Sequence, residues 1–213
     1  LHPRYEVAQR AQVMEVLVPR LRSLALLAKS AKMGLNIDAE EADRLSLSLD
    51  VIETVLAEPA LAGWDGFGVV VQAYGQRASH VIDFLYDLAT RLDRKIMVRL
   101  VKGAYWDTEI KRAQVAGIDG FPVFTSKAAT DVSYIANARK LLSMTDRIYP
   151  QFATHNAHTV TTILELANHD SRPFEFQRLH GMGEALYDAA LDRAPKGTYC
   201  RIYAPVGTHK DLL

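Results

Sequence analysis

Short apolar runs of about six residues alternate with amphipathic segments of about ten or more along this chain, the periods of strand and helix respectively. The strand candidates are Gly34–Asp38, Phe67–Tyr74, Lys95–Val101, Ile148–Ala153, Phe174–Leu179 and Cys200–Ala204. Between them, Leu45, Leu49, Ile52 and Leu56 recur at helical spacing until Pro59 stops the segment. Val81, Leu85, Leu88 and Leu92 repeat the pattern, as do Val160, Leu164 and Ala167. A first helical stretch runs from Tyr5 to about Met33, with Pro19 predicted to break or restart it.

Strands that alternate with helices, with no hairpin signal, predict a parallel α/β sheet. Two closures fit, an open doubly wound sheet or a (βα)8 barrel. A barrel needs about 250 residues, and this chain has 213. It starts Leu1-His2-Pro3 without Met, and Lys210 to Leu213 reads as the first turn of a helix. Both ends therefore read as cut, and missing elements could lie beyond them. No linker, repeat or low-complexity stretch divides residues 1–213, which predicts one domain.

Composition narrows the class. Hydrophobic residues make up 49% and charged residues 23%, enough to bury a core without disulfides. The single cysteine, Cys200, forms no intrachain bridge and fits a reducing compartment. Twenty-five basic and 25 acidic residues cancel, so no bulk field draws a nucleic acid. No run approaches the ~18 apolar residues of a spanning helix, and no signal peptide is visible.

Chemistry gathers at strand ends, whereas strand interiors read as bland. The ends are Asn36-Ile37-Asp38, Gln72-Ala73-Tyr74, Arg99 to Trp106, Thr154-His155-Asn156, Gln177 to His180, and Tyr203. In both parallel architectures the ligand sits outside the carboxyl ends of the strands. One polar strand end starts a loop; six of them, rich in Asp, Gln, Arg, His and Tyr, point to a site.

Individual motifs are weaker. His155 and His158 stand three apart without a third ligand or a nearby carboxylate partner, so hydrogen bonding is favoured over a metal. Gly181-Met182-Gly183 is half of a dinucleotide fingerprint, but Leu186 fills its third position, and a small-residue turn reads better. Lys102 ends a strand, where a Schiff-base lysine would stand, with Arg99 nearby to depress its pKa. Residues Gly117 to Asp131 form a long loop between a short helix and a longer one, with Asp131 as N-cap.

Five stretches together resemble a known family: VRLVKGAYWDTEIKRAQ, FPVFTSKAATDVSYIANA, YPQFATHNAHT, FEFQRLHGMGE and CRIYAPVGTH. They are similar to the proline dehydrogenase domain of the bacterial proline utilization A flavoenzymes, and the likeness covers the whole chain. The resemblance implies a (βα)8 barrel binding FAD without a Rossmann turn. It implies oxidation of L-proline to Δ1-pyrroline-5-carboxylate, electrons passing to a membrane quinone, and a fused pyrroline-5-carboxylate dehydrogenase domain. A cytoplasmic protein, peripheral at the inner face of the plasma membrane, goes with that acceptor. The family's flavin contacts map onto Gln72, Arg99, Val101, Gly103, Ala104, Trp106, Thr125, Lys127, Thr154, His155, Asn156 and Gln177. The substrate wall maps onto Asp38, Tyr105, Leu179 and Tyr203, and the catalytic set onto Arg99, Asp38, Tyr105 and Tyr203.

The family also anchors its substrate carboxylate with a lysine of the first strand and two arginines of the last helix. No position of this chain matches them. The expectation is a barrel fragment from the end of strand two to the start of the last helix, which alone would bind proline poorly. Two rival readings stand beside the flavoenzyme: a Schiff-base aldolase-like barrel using Lys102, and a truncated non-catalytic module.

Overall fold

The computed structural model describes residues 2–167 and 173–207. The expected helix start at 210–213 lies outside them. The elements run α1 (Arg10–Ser30), β1 (Leu35–Ile37), α2 (Leu45–Leu56), β2 (Phe67–Gln72), α3 (Ala78–Arg91), β3 (Ile96–Val101), α4 (Trp106–Ala116), α5 (Lys127–Leu142), β4 (Ile148–Ala153), α6 (Ala157–Ala167), β5 (Glu175–Leu179), α7 (Glu184–Leu191) and β6 (Cys200–Tyr203).

Every strand predicted from the apolar runs is present, and all pair in parallel in the order β1-β2-β3-β4-β5-β6. A doubly wound sheet reverses its order at a switch point. No reversal occurs here, so the winding is that of a (βα)8 barrel. One contact reports the curl of the sheet. Asn36 on β1 donates from Nδ2 to Gln151 Oε1 on β4 at 3.2 Å, although three strand spacings in a flat sheet would separate them by about 14 Å.

Burial follows the helical and strand periods. Ile96, Val98 and Leu100 of β3 are fully buried and face the helices, while Met97, Arg99 and Val101 alternate toward the barrel interior. Val81, Leu85 and Leu88 bury one face of α3, as their spacing predicts. Helix α2 has a second apolar face that its 3–4 stripe did not reveal. Leu47 and Val51 pack with Val13 and Leu17 of α1 in a small separate cluster, because α2 is layered between the sheet and α1.

Pro19 does not break the first helix, which runs unbroken for 21 residues. Proline removes the amide that would bond the Glu15 carbonyl. Glu15 and Pro19 both lie on the exposed side of α1, where water can take that carbonyl instead.

Candidate active site

The carboxyl ends of the strands surround a solvent-open cleft of about 1460 Å³. Arg99 rises from β3 into its floor. Its Nη2 donates to Asp38 Oδ1 at the end of β1, and its Cζ lies 5.9 Å from the ring centroid of Tyr203 on β6. The Arg99 Nε is buried and has no hydrogen-bond partner. The cation is thereby fixed on one side and keeps an N–H unspent beside the cleft.

The rim is tied together by the residues that follow β1 and β3. Tyr105 Oη donates to Glu40 Oε2 at 2.8 Å, and that bond, with burial, pushes the phenol up to about 12. Gln72 Nε2 donates to the Glu40 carbonyl at 2.8 Å, while its Oε1 accepts the Ala104 N–H at 3.2 Å. Gly103 sits at φ 145°, and a Cβ there would collide with the ring of Tyr74. Close packing thus brings the backbone of residues 103 and 104 against the wall of the cleft. Trp106, 41% exposed, opens α4, its Nε1 donating to the Phe124 carbonyl at 2.8 Å. This bond holds the loop that carries Thr125 and leads into α5, whose first residue, Lys127, lines the cleft.

The opposite wall is the turn after β4. Asn156 caps α6, its Oδ1 accepting the Thr159 N–H at 3.0 Å. Thr154 Oγ1 accepts the Asn156 N–H at 3.2 Å, and the Thr154 carbonyl accepts from Tyr187 Oη at 2.8 Å. His155 Nε2 accepts the Leu179 N–H at 2.9 Å. That bond places the ring proton on Nδ1 in the neutral form. Burial, then Arg178, lowers the His155 pKa below its ordinary 6.5. The stability this histidine adds is therefore complete above its unfolded pKa and is lost as pH falls through the lower folded one. Chemical unfolding at pH 7.5 and 5 is expected to show a smaller loss on acidification in His155→Gln than in the native sequence. Leu179 and Tyr203 are register partners at the ends of β5 and β6.

Beneath the cleft lies a polar layer. Glu175 is fully buried. Its Oε1 accepts from Gln177 Nε2 at 2.7 Å, Arg201 Nε at 2.8 Å and Gln151 Nε2 at 2.9 Å. Its Oε2 accepts from Arg201 Nη2 at 2.8 Å, Tyr149 Oη at 3.4 Å and Tyr199 Oη. Burial alone would push the carboxyl up, but the bonds from Arg201, Tyr199 and Gln177 outweigh it and hold the pKa below the ordinary range. Gln177, only 2% exposed, belongs to this layer and lies beside Ala153, just beneath the residues that line the open cleft.

The proline dehydrogenase family model matches residues 2–213. The chain belongs to the proline dehydrogenase family. It is 59% identical over its whole length to the bifunctional protein PutA of Klebsiella aerogenes and 57% identical to that of Rhizobium meliloti. It spans 17% of each of those proteins. A crystal structure of a Bradyrhizobium japonicum proline utilization A (PutA) mutant superposes with a TM-score of 0.95 at 62% identity, covering 100% of this chain and 22% of that one. Proline utilization A from Bdellovibrio bacteriovorus, inactivated by N-propargylglycine, gives 0.91 at 33% identity, covering 98% and 22%.

Three expectations change in this family member. Strand interiors are not bland: Tyr149 and Gln151, Glu175 and Gln177, and Tyr199 and Arg201 recur at i, i+2, the period that sends alternate side chains inward. That spacing was the available signal for the polar layer. Asp131 is not an N-cap, because α5 begins earlier, with Ser126 in the cap position. Asp131 instead pairs with Lys102 Nζ at 2.5 Å. Lys102 is thereby engaged with a carboxylate, which leaves the Schiff-base reading without support.

Proposed function

We propose that the cleft binds FAD and L-proline and that the domain oxidises proline to Δ1-pyrroline-5-carboxylate, the electrons passing on to a quinone. Family membership supports the activity, and the state of Arg99 supports the cofactor. The observation that carries the reading is a half-buried, permanently charged guanidinium that lines the cleft and is held by Asp38 at the barrel mouth, its Nε buried without a partner. Such a cation favours a ring that gains electron density on reduction.

The residues present fit a flavin nucleotide. Gly103 and Ala104 offer close backbone approach, Trp106 an exposed aromatic face, and Lys127 a cation for phosphate oxygens. His155 Nδ1 and Asn156 Nδ2 remain as donors once Nε2 and Oδ1 are committed within the protein. Gln72, Val101, Thr125, Thr154 and Gln177 complete the proposed cofactor set.

A bound flavin would supply the acceptor for the hydride that proline loses from Cδ as its nitrogen lone pair forms the C=N bond. The protein's part is positioning and exclusion of water. Tyr203 and Leu179 pack on the small apolar ring of proline. Asp38 fixes Arg99, and Tyr105, kept as a phenol by Glu40, shapes the polar rim. The relatives are named bifunctional, and we extend to this chain a fused pyrroline-5-carboxylate dehydrogenase unit in the whole protein. Among the described residues no helix is long and apolar enough to cross a membrane. With a quinone as the proposed acceptor, we place the protein in the cytoplasm, meeting the inner face of the bilayer peripherally.

Anaerobic addition of L-proline to the flavin-loaded protein is expected to bleach the oxidised flavin spectrum. A bound flavin indifferent to proline would sink the activity. Arg99→Met is expected to retain flavin and to slow its reduction by about 10²-fold or more, the scale of losing one electrostatic contact to developing charge. Unchanged reduction kinetics would assign Arg99 a structural role.

A further inference from the structure

We propose that Glu175 is a positioning residue for cofactor recognition: it fixes the amide of Gln177 so that the carbonyl oxygen, and not the NH2, is presented to the imide N–H of the flavin. The proposal rests on the flavin site described above. A carboxylate only accepts hydrogen bonds, so every group around Glu175 has to donate. Gln151 and Gln177 both meet this demand with Nε2, at 2.9 and 2.7 Å.

A glutamine amide has one donor end and one acceptor end. Committing the donor end decides what the other end offers. Gln151 illustrates the rule inside the same layer, since its Oε1 turns to accept from Asn36 Nδ2 at 3.2 Å. The Oε1 of Gln177 has no such donor among the described residues, although nearly the whole side chain is buried. Gln177 is the register partner of Ala153, which lines the floor of the cleft, and of Arg201. An acceptor without a donor, not wholly closed off from solvent, stands just under the ligand cleft.

The flavin chemistry complements it. The pyrimidine end of an isoalloxazine carries one donor, the imide N–H, flanked by two carbonyl acceptors. An amide that presents oxygen selects the N–H; one that presents NH2 selects a carbonyl and repels the N–H. Arg201 secures the choice from the far side. It binds both oxygens of Glu175 at 2.8 Å, so the carboxylate cannot rotate away from Gln177.

The test compares the affinity of the apoprotein for FAD and for FAD methylated at the imide nitrogen. The native sequence is expected to prefer FAD by about tenfold, the effect of one buried acceptor left unsatisfied. In Glu175→Gln the introduced amide can donate, so Gln177 can turn its NH2 toward the cofactor. FAD affinity should then fall by about tenfold, while the methylated analogue changes less than about threefold, and the preference collapses. Glu175→Asp, which withdraws the carboxylate from Gln177 but keeps the charge for Arg201, should narrow the ratio as well. It serves in place of Glu175→Gln if that variant does not fold. A native protein that binds no FAD overturns the proposed function. FAD binding without discrimination, or an unchanged ratio in a folded Glu175 variant, overturns the positioning role alone.

Discussion

Glu175→Ala is expected to destabilise the domain by about 3 kcal/mol, the lower part of the range for removing one partner of a buried ion pair. Two effects set the figure. Arg201 loses its carboxylate, but its side chain is 54% exposed, so water recovers part of that loss. The amides of Gln151 and Gln177 have no such recourse. Both residues are only 2% exposed, and apart from the weak contact of Gln151 Nε2 with Met97 Sδ at 3.6 Å each would keep a buried N–H with no acceptor, at about 1–3 kcal/mol apiece before relaxation. Urea unfolding of the variant against the native sequence measures the difference. A loss below about 1 kcal/mol would mean that the layer admits water freely, in the manner of a surface ion pair.

Gly103→Ala is expected to cost about 2–5 kcal/mol and to weaken cofactor retention together with stability. The backbone there has φ 145°, and an added Cβ meets the Tyr74 ring. Tyr74 cannot easily retreat. It is buried, its N–H donates to the Lys102 carbonyl at 2.8 Å, and its own carbonyl accepts the Phe124 N–H at 2.8 Å. The backbone of residues 103 and 104 must therefore shift, and with it the rim against which we place the flavin. Gly181→Ala is the internal comparison: its φ is 80°, but nothing lies within 4 Å of the added carbon. Calorimetry and flavin retention should show the first variant losing clearly more than the second. Equal losses would mean that backbone strain alone, without the collision, governs position 103.

The strands were legible because β2, β3 and β4 are apolar runs bounded by turns, whereas their order was not, since right-handed crossovers serve the doubly wound sheet and the barrel alike. The placement of polar residues at strand ends was legible for the same reason. What escaped the sequence is what depends on a third partner. The second face of α2 exists only because α1 packs on it. The continuity of α1 through Pro19 depends on which side of the helix meets water. Asp131 read as a cap because local spacing carries no information about Lys102, which lies 29 positions earlier. Glu175 and Arg201 looked like ordinary strand residues and Gln177 like a strand end; their i, i+2 spacing marks an inward polar row, but which donor meets which acceptor across strands is settled only when the sheet curls.

The same carboxylate constrains the order in which the sheet can close. Its donors stand on β4, on β5 and on residues 199 and 201, segments parted in the chain by α6 and α7. With β4 and β5 joined but β6 still away, Glu175 would have two glutamine amides and one tyrosine but no counter-cation. Docking β6 supplies the cation and a second phenol in one event. Peeling β6 away must equally strand a charge. The C-terminal part of the sheet therefore opens and closes as a cooperative unit, not strand by strand, and its amides would exchange with solvent together.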